Sequence, residues 1–263
     1  MATRLGGGVS TLAIQLSALV VAHNEEAQLA ACLDCLAFAD EIVVVLDKCT
    51  DGSKTVASGY TDRLIEGSWD RDGERRNAGI VACRGTWIFE IDADERASDA
   101  LAGEIRAAIE AREADIFNIP VDNYVGGRLV RHGWGGLFGK NGYPGLFRKG
   151  VKVWGRERAH PHLHVSGRQG ADLKTPITHY VDRDIFDMLM RLDRYTTLRA
   201  RDLAESGDIG SFPNMVRKIF SRFWKCYVGR RGYREGGYGF VIALCAALYP
   251  VLSHLKAALE PAP

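Results

Sequence analysis

Residues 86–95, Thr-Trp-Ile-Phe-Glu-Ile-Asp-Ala-Asp-Glu, set a short aromatic and β-branched run directly against three carboxylates. Trp87, Ile88, Phe89 and Ile91 have the composition of a buried strand, and Asp92, Asp94 and Glu95 stand at its C-terminal end. In an open α/β sheet that end is where ligands bind. Two acids one residue apart can offer hard oxygen ligands to a divalent cation while a substrate diphosphate offers the others. A solvated acidic turn ahead of a helix would read the same way, and Asp-x-Asp alone does not separate the two.

Carboxylates placed so need a sheet to hold them, and the preceding residues supply one. Residues 16–21 form an apolar strand that leads into Ala22-His23-Asn24-Glu25-Glu26, after which Leu29, Cys32, Leu33 and Leu36 recur at helical spacing. Residues 41–46 are a second continuous apolar run, as expected of a parallel strand covered on both faces, and it ends in Asp47. Asp51-Gly52-Ser53 is turn chemistry opening a short helix through Val56, residues 63–66 read as a third strand, and residues 71–83 are helical with Arg75, Arg76 and Asn77 near the start. Strand and helix thus alternate up to the opening stretch, which predicts an α/β fold with a doubly wound, mostly parallel sheet and flanking helices. Asn24 and Glu25, Asp47, and Asp92 with Asp94 would then share one edge and line a single crevice.

The rest of the chain bounds the alternatives. With 263 residues, 46% hydrophobic and 25% charged, it holds one large domain or a domain with an appendage. The net charge of +1 conceals a local excess, since residues 212–235 carry seven Lys or Arg against the single acid Glu235. An electrostatic partner is therefore expected at that stretch, and no nucleic-acid partner is expected. Six cysteines lack the spacing of a disulfide framework and no signal-peptide pattern is present, which fits a reduced, cytosolic protein. Cys32-x-x-Cys35 falls in an amphipathic helix with no second pair, so both are expected to be structural thiols. A Gly-x-Gly-x-x-Gly turn is absent after Val21, which excludes a dinucleotide-dependent oxidoreductase of the ordinary kind.

Residues 1–15, with Gly6-Gly7-Gly8, read as a flexible leader, and residues 16–182 as the main domain, with a ligand half over 16–122. Ser98 is a helix N-cap ahead of Leu101, Ile105 and Ile109, and residues 115–120 return as a strand. The second half runs over 123–182, and from 123 to 164 the chain turns to Gly, Trp, Tyr, His and Arg, suited to binding a sugar or polar acceptor, and equally to a mixed sheet closing the domain. His160, His162 and His164 alternate onto one strand face and are expected to lie partly exposed beside the site rather than to form a metal centre of their own. Residues 183–263 read as a helical extension: a long amphipathic helix over 184–205, the basic-aromatic segment 212–233, and the nearly uncharged run 238–252 containing Pro250. The run is short for a membrane span, and basic cluster and run together predict contact with an anionic membrane surface, the alternative being a helix packed on the domain.

Leu19-Val-Val-Ala-His-Asn-Glu-Glu26, Asp40-Glu-Ile-Val-Val-Val-Leu-Asp47 with Thr50-Asp51, Gly73-Glu-Arg-Arg-Asn77 and Phe89-Glu-Ile-Asp-Ala-Asp-Glu95 resemble the family 2 glycosyltransferases of the inverting GT-A type. More narrowly the chain resembles the lipopolysaccharide core β-glucosyltransferase group, through Tyr124-Val-Gly-Gly-Arg128, Leu146-Phe-Arg148, His179-Tyr180 and Arg194-Tyr-Thr196. The resemblance implies a nucleotide-sugar donor, with UDP the expected nucleotide, in a pocket made by Asn24, Glu25, Asp47, Arg75 and Asp92. It implies Mg²⁺ or Mn²⁺ at Asp92 and Asp94, and a glycan or lipid-linked glycan acceptor at the cytoplasmic face of a bacterial plasma membrane. Where related enzymes carry His-Glu, this chain has His160-Pro161, so the catalytic base falls to Glu157, Asp172 or His160, and the sequence leaves all three open. A transferase of the same fold acting on a protein or polyol, and a non-catalytic glycan-binding or membrane-binding scaffold, are the competing readings.

Overall fold

The computed structural model describes residues 14–135, 139–157 and 162–260. Its first half is a βα succession: β1 (Leu16–Ala22), α1 (Glu26–Asp34), β2 (Glu41–Asp47), α2 (Ser53–Ser58), β3 (Leu64–Gly67), α3 (Asp72–Ala82) and β4 (Trp87–Asp92). Strands β3, β2, β1 and β4 lie side by side in that order and are all parallel. The chain winds outward from β1 to β3, then crosses back to place β4 on the other side of β1. That reversal is a topological switch point between β1 and β4.

Both faces of this half are covered, which is why β1 and β2 read as unbroken apolar runs. Ala18, Val20 and Ala22 of β1 pack with Leu29, Cys32 and Leu33 of α1, whereas Leu19 and Val21 pack on the opposite face with Ile80 of α3. Helix α4 (Asp99–Ala111) joins the first of these cores through Leu101, Ile105 and Ile109. Its N-cap is Ser98, whose hydroxyl accepts from the Leu101 amide.

The expectation of a mostly parallel sheet holds for that half only. β8 (Gly142–Arg148) continues the sheet antiparallel beside β4, β6 (Ile116–Val125) pairs antiparallel with β8, and β11 (Ile177–Asp182) then runs parallel to β6. The short β5 (Glu95–Arg96) and β7 (Arg128–Val130) pair antiparallel with β11 and β6, and β9 (Lys152–Trp154) with β10 (Leu163–Val165) forms a separate ribbon. The sheet is therefore mixed, because β8 enters as an antiparallel partner of both β4 and β6 and needs no crossover helix.

After β11 the chain is helical: α5 (Ile185–Ser206), α6 (Phe212–Trp224), a π-helical and a 3-10 turn over residues 225–235, and α7 (Gly237–Leu259). Helix α7 runs on through Pro250 and is long and apolar enough to cross a membrane, yet most of its apolar stretch is buried inside the protein. Ile242, Ala243, Cys245, Ala246 and Tyr249 pack with Met188 and Leu192 of α5 and with Val125, Val130 and Trp134. The apolar run expected to lie at a membrane surface is thus the spine of a second core.

Candidate active site

A cleft of about 880 Å³ opens at the C-terminal ends of the parallel strands. Glu25, Asp47, Arg75, Asp92 and Asp94 line one side of it, and Arg194 and Arg201 of α5 line another. The acids read from separate strand ends do converge.

The loops after β1 and β2 are tied to each other. Asn24 adopts a left-handed backbone (φ 58°), a conformation Asn tolerates better than most residues. Its side-chain oxygen accepts from the Thr50 amide at 2.8 Å. Asp51 accepts from the Glu26 amide at 3.0 Å, and Glu26 in turn accepts from the Gly52 amide at 2.9 Å. Asn24 itself is not on the cleft wall; it shapes the loop that presents Glu25. Burial raises the Glu25 pKa, with Asp94 and Asp92 adding to the effect against the hydrogen bond from Gln28.

Asp47 is nearly buried and spends one oxygen on the Trp69 amide (3.0 Å) and the other on Arg75 (3.2 Å). Arg75 also pairs with Asp72, which shares its carboxylate with Arg76. Arg76 then spans Glu90 at 2.7 Å and Asp92 at 2.8 Å under the ring of Trp154. The motif Gly73-Glu-Arg-Arg-Asn77 is what brings it there. Asn77 donates to the Trp154 carbonyl at 2.9 Å and accepts from the Trp154 amide at 3.0 Å, as a neighbouring strand would. At Gly73 a Cβ would stand 1.9 Å from the Gly155 carbonyl oxygen, so only glycine lets α3 approach β9 this closely.

Both oxygens of Asp92 are occupied by cations, Oδ1 by Arg76 and Oδ2 by Lys140 at 2.9 Å. Burial pushes this carboxyl up, but Arg76 and Lys140 together outweigh burial and hold it well below the usual carboxylate range. Lys140 also lies 2.8 Å from Glu95 Oε1 and sits over the ring of Tyr143. Asp94 differs. Its Oδ2 faces His179 Nε2 at 3.3 Å, while its Oδ1 is buried without a hydrogen-bond partner. His179 is oriented by Asn123, whose side-chain oxygen lies 2.8 Å from Nδ1. Burial opposes the imidazolium, but Asp94 and then Glu95 outweigh it and raise the His179 pKa.

A buried, unpartnered carboxylate oxygen beside an imidazole fits a divalent cation better than the fully engaged Asp92 does. No group of three or more His, Cys, Asp or Glu arranged to hold a metal ion occurs among the described residues, so a cation here would draw its remaining ligands from substrate or water.

The base candidates sit elsewhere. Glu157 borders a shallow depression with Arg71, Asp202 and Glu205 rather than the main cleft, and the hydrogen bond from His162 holds its carboxyl at about 2. Asp172 is exposed and accepts from the Asn118 side chain at 3.0 Å, away from the cleft wall. His160 lies outside the described residues. His162 is highly exposed and His164 is on β10. The Cys32 and Cys35 thiols are free, and burial raises the pKa of both. Sequence reasoning missed Lys140 and His179 as members of the site: Lys140 stands in the irregular stretch before β8 and His179 on β11, and only the pairing of β8 with β4 and β11 with β6 carries them to the acids.

A parallel α/β half whose switch-point crevice is lined by strand-end acids, extended by antiparallel strands, defines a glycosyltransferase of the GT-A type. The chain belongs to glycosyl transferase family 2, whose family model matches residues 17–166. It is similar to a lipopolysaccharide core biosynthesis glycosyltransferase, LpsC, of Rhizobium meliloti (strain 1021), at 26% identity over 92% of each chain. An uncharacterized glycosyltransferase of Rickettsia bellii (strain RML369-C) is 22% identical over 89% of this chain and 82% of its own. Among solved structures, S. aureus TarS shares the fold with a TM-score of 0.50 at 16% identity, over 94% of this chain and 53% of that one.

Proposed function

We propose that this glycosyltransferase moves a hexose, with inversion, from a nucleoside diphosphate sugar to a bacterial envelope glycan of the lipopolysaccharide core kind. UDP is the nucleotide first expected, and the enzyme acts at the cytoplasmic face of the plasma membrane. The observation that carries the reading is the convergence of Asp47, Arg75, Asp92 and Asp94 on one switch-point cleft. The relationship to LpsC over 92% of both chains supports the acceptor class.

In this reading Asp47 and Arg75 receive the nucleoside, Glu25 flanks it, and Asp92 orients the ribose. Asp94 with His179 would hold Mg²⁺ or Mn²⁺, which supplies positive charge opposite the departing diphosphate. Lys140, already poised on Asp92, is within the same cleft and adds a second cation near the leaving group. Arg194 and Arg201 on the α5 wall suit a negatively charged acceptor. The acceptor hydroxyl attacks the anomeric carbon from the face opposite the leaving group and gives its proton to a base.

Isothermal titration with a panel of nucleoside diphosphates, with and without Mn²⁺, tests the reading. Metal-dependent binding of UDP is expected. Absence of metal-dependent binding for every nucleotide in the panel would overturn it.

A further inference from the structure

Helix α6 carries three Phe and a Trp, yet none of its thirteen residues is buried. Phe220 and Trp224, one helical turn apart, are 74% and 67% exposed, and Val228 continues the same stripe. Exposed Phe240 and Leu244 of α7 lie alongside, since Phe223 meets Phe240 edge-on with ring centroids 5.6 Å apart. Monomeric soluble proteins rarely leave so many large apolar side chains together in water without a partner.

The charges around this stripe are of one sign. Arg217 falls on the face of α6 that carries Phe220 and Trp224, Lys225 follows directly at the end of the helix, and Arg231 and Arg234 lie in the turns after it; all four are exposed. The segment's single acid, Glu235, does not answer them. It is buried and turned inward, 2.8 Å from His132 Nδ1, where it also accepts from the Arg131 and His132 amides. Aromatic side chains flanked by uncompensated Arg and Lys match the headgroup level of an anionic bilayer, where rings enter the interface and cations meet lipid phosphates. A second copy of this face would set like charges against each other, which disfavours self-association.

We propose that the exposed face of α6, centred on Phe220 and Trp224 and flanked by Arg217 and Lys225, is the docking surface for an anionic lipid bilayer. The helix lies along the surface and α7 stays in the protein core. The inference rests on the peripheral-membrane part of the reading above and assigns it to a surface separate from the cleft.

The test is co-sedimentation of the full chain with vesicles of phosphatidylethanolamine and phosphatidylglycerol, against vesicles of phosphatidylcholine alone. Binding to the anionic vesicles, weakened by salt, is expected. Arg217→Glu with Lys225→Glu, and separately Phe220→Ser with Trp224→Ser, are each expected to reduce it by about tenfold or more. Arg112→Glu with Arg156→Glu makes the same change in net charge at exposed sites away from α6 and is expected to bind as the unaltered protein does. Thermal melts and UDP titration on each variant report folding and the cleft independently. Equal binding to both vesicle types, unchanged binding by the α6 variants, or concentration-dependent dimers abolished by Phe220→Ser with Trp224→Ser would overturn the docking surface. None of these outcomes bears on the transferase reading, which fails only if nucleotide binding fails.

Discussion

At the scale of single residues, the two acids of Asp-x-Asp are not equivalent. Asp92 is neutralised from both sides by Arg76 and Lys140, whereas Asp94 keeps one buried oxygen without a partner. Replacing Asp94 by Asn is therefore expected to abolish metal-dependent donor binding and lower kcat by roughly 10²–10³, with a melting temperature near that of the parent. Calorimetric titration and steady-state kinetics check it; retained metal dependence would move the cation elsewhere. Beneath the site lies a second cluster. Lys152 is wholly buried and pairs with buried Glu90 at 2.8 Å, and Arg76 pairs with the same Glu90. Burial drags the Lys152 pKa down against the attraction of Glu90, while Glu90, though burial raises it, is lowered by two cations, Lys152 and Arg76. Lys152→Met leaves Glu90 with Arg76 as its one paired cation, beside the indole of Trp154, and is expected to cost about 3–5 kcal/mol; adding Glu90→Gln should recover part of it. A depressed carboxylate pKa contributes stability that is complete above its unfolded value and is lost as pH falls through the folded one. The parent should thus lose stability on acidification below about 4.3, and the double variant should lose less, as denaturant midpoints across pH will show. The acids were legible because each closes an apolar run. Lys140, His179 and Lys152 were not, since their partners are distant in sequence and a single Lys or His in a loop or on a strand looks the same whether it serves a site or a surface.

At the scale of elements, what positions the site is the docking of α3 on β9. The motif Gly73-Glu-Arg-Arg-Asn77 could be read from sequence as an arginine-bearing helix start, but the jobs of its two ends could not. Gly73 is there for close approach and Asn77 for a two-way hydrogen bond to the Trp154 backbone. Between them Arg75 is aimed at Asp47 and Arg76 at Asp92. Gly73→Ala raises helix propensity but removes the fit, so a net loss of about 1–3 kcal/mol is expected. Because α3 must tilt or β9 retreat, donor affinity should fall together with stability. Asn77→Asp, which loses the donor to the Trp154 carbonyl, should act in the same direction. If Gly73→Ala lowered the melting temperature and left nucleotide affinity unchanged, the α3–β9 contact would be scaffolding only.

At the scale of the whole molecule, β11 ends at Asp182 and the helices that follow share a core with the sheet that precedes them. Strand β6 is shared: Phe117, Ile119 and Val121 lie in the core under α1 and α4, while Val125 lies in the core around α7. Trp134, whose indole donates to the Val130 carbonyl, and Glu235, which caps the amides of Arg131 and His132, lock the segment after β7 to the helical extension. At the start of α7 a Cβ on Gly239 would stand 1.8 Å from the Gly232 carbonyl oxygen, so the turn and the helix are in direct backbone contact. Sequence patterning showed α7 as an apolar run but could not say what covers it, because a buried helix and an interfacial one share the same composition. Packing decides: Ile242 is fully buried against the domain. Ile242→Ala is expected to cost about 2–5 kcal/mol and to lower the stability of the whole chain in a single transition. Intrinsic fluorescence, which draws on Trp87 in the first core and Trp134 in the second, and far-ultraviolet circular dichroism should then give coincident midpoints. Separate midpoints, with the sheet unfolding at the parent's denaturant concentration, would mean that the extension folds on its own and that the strand shared by the two cores does not couple them.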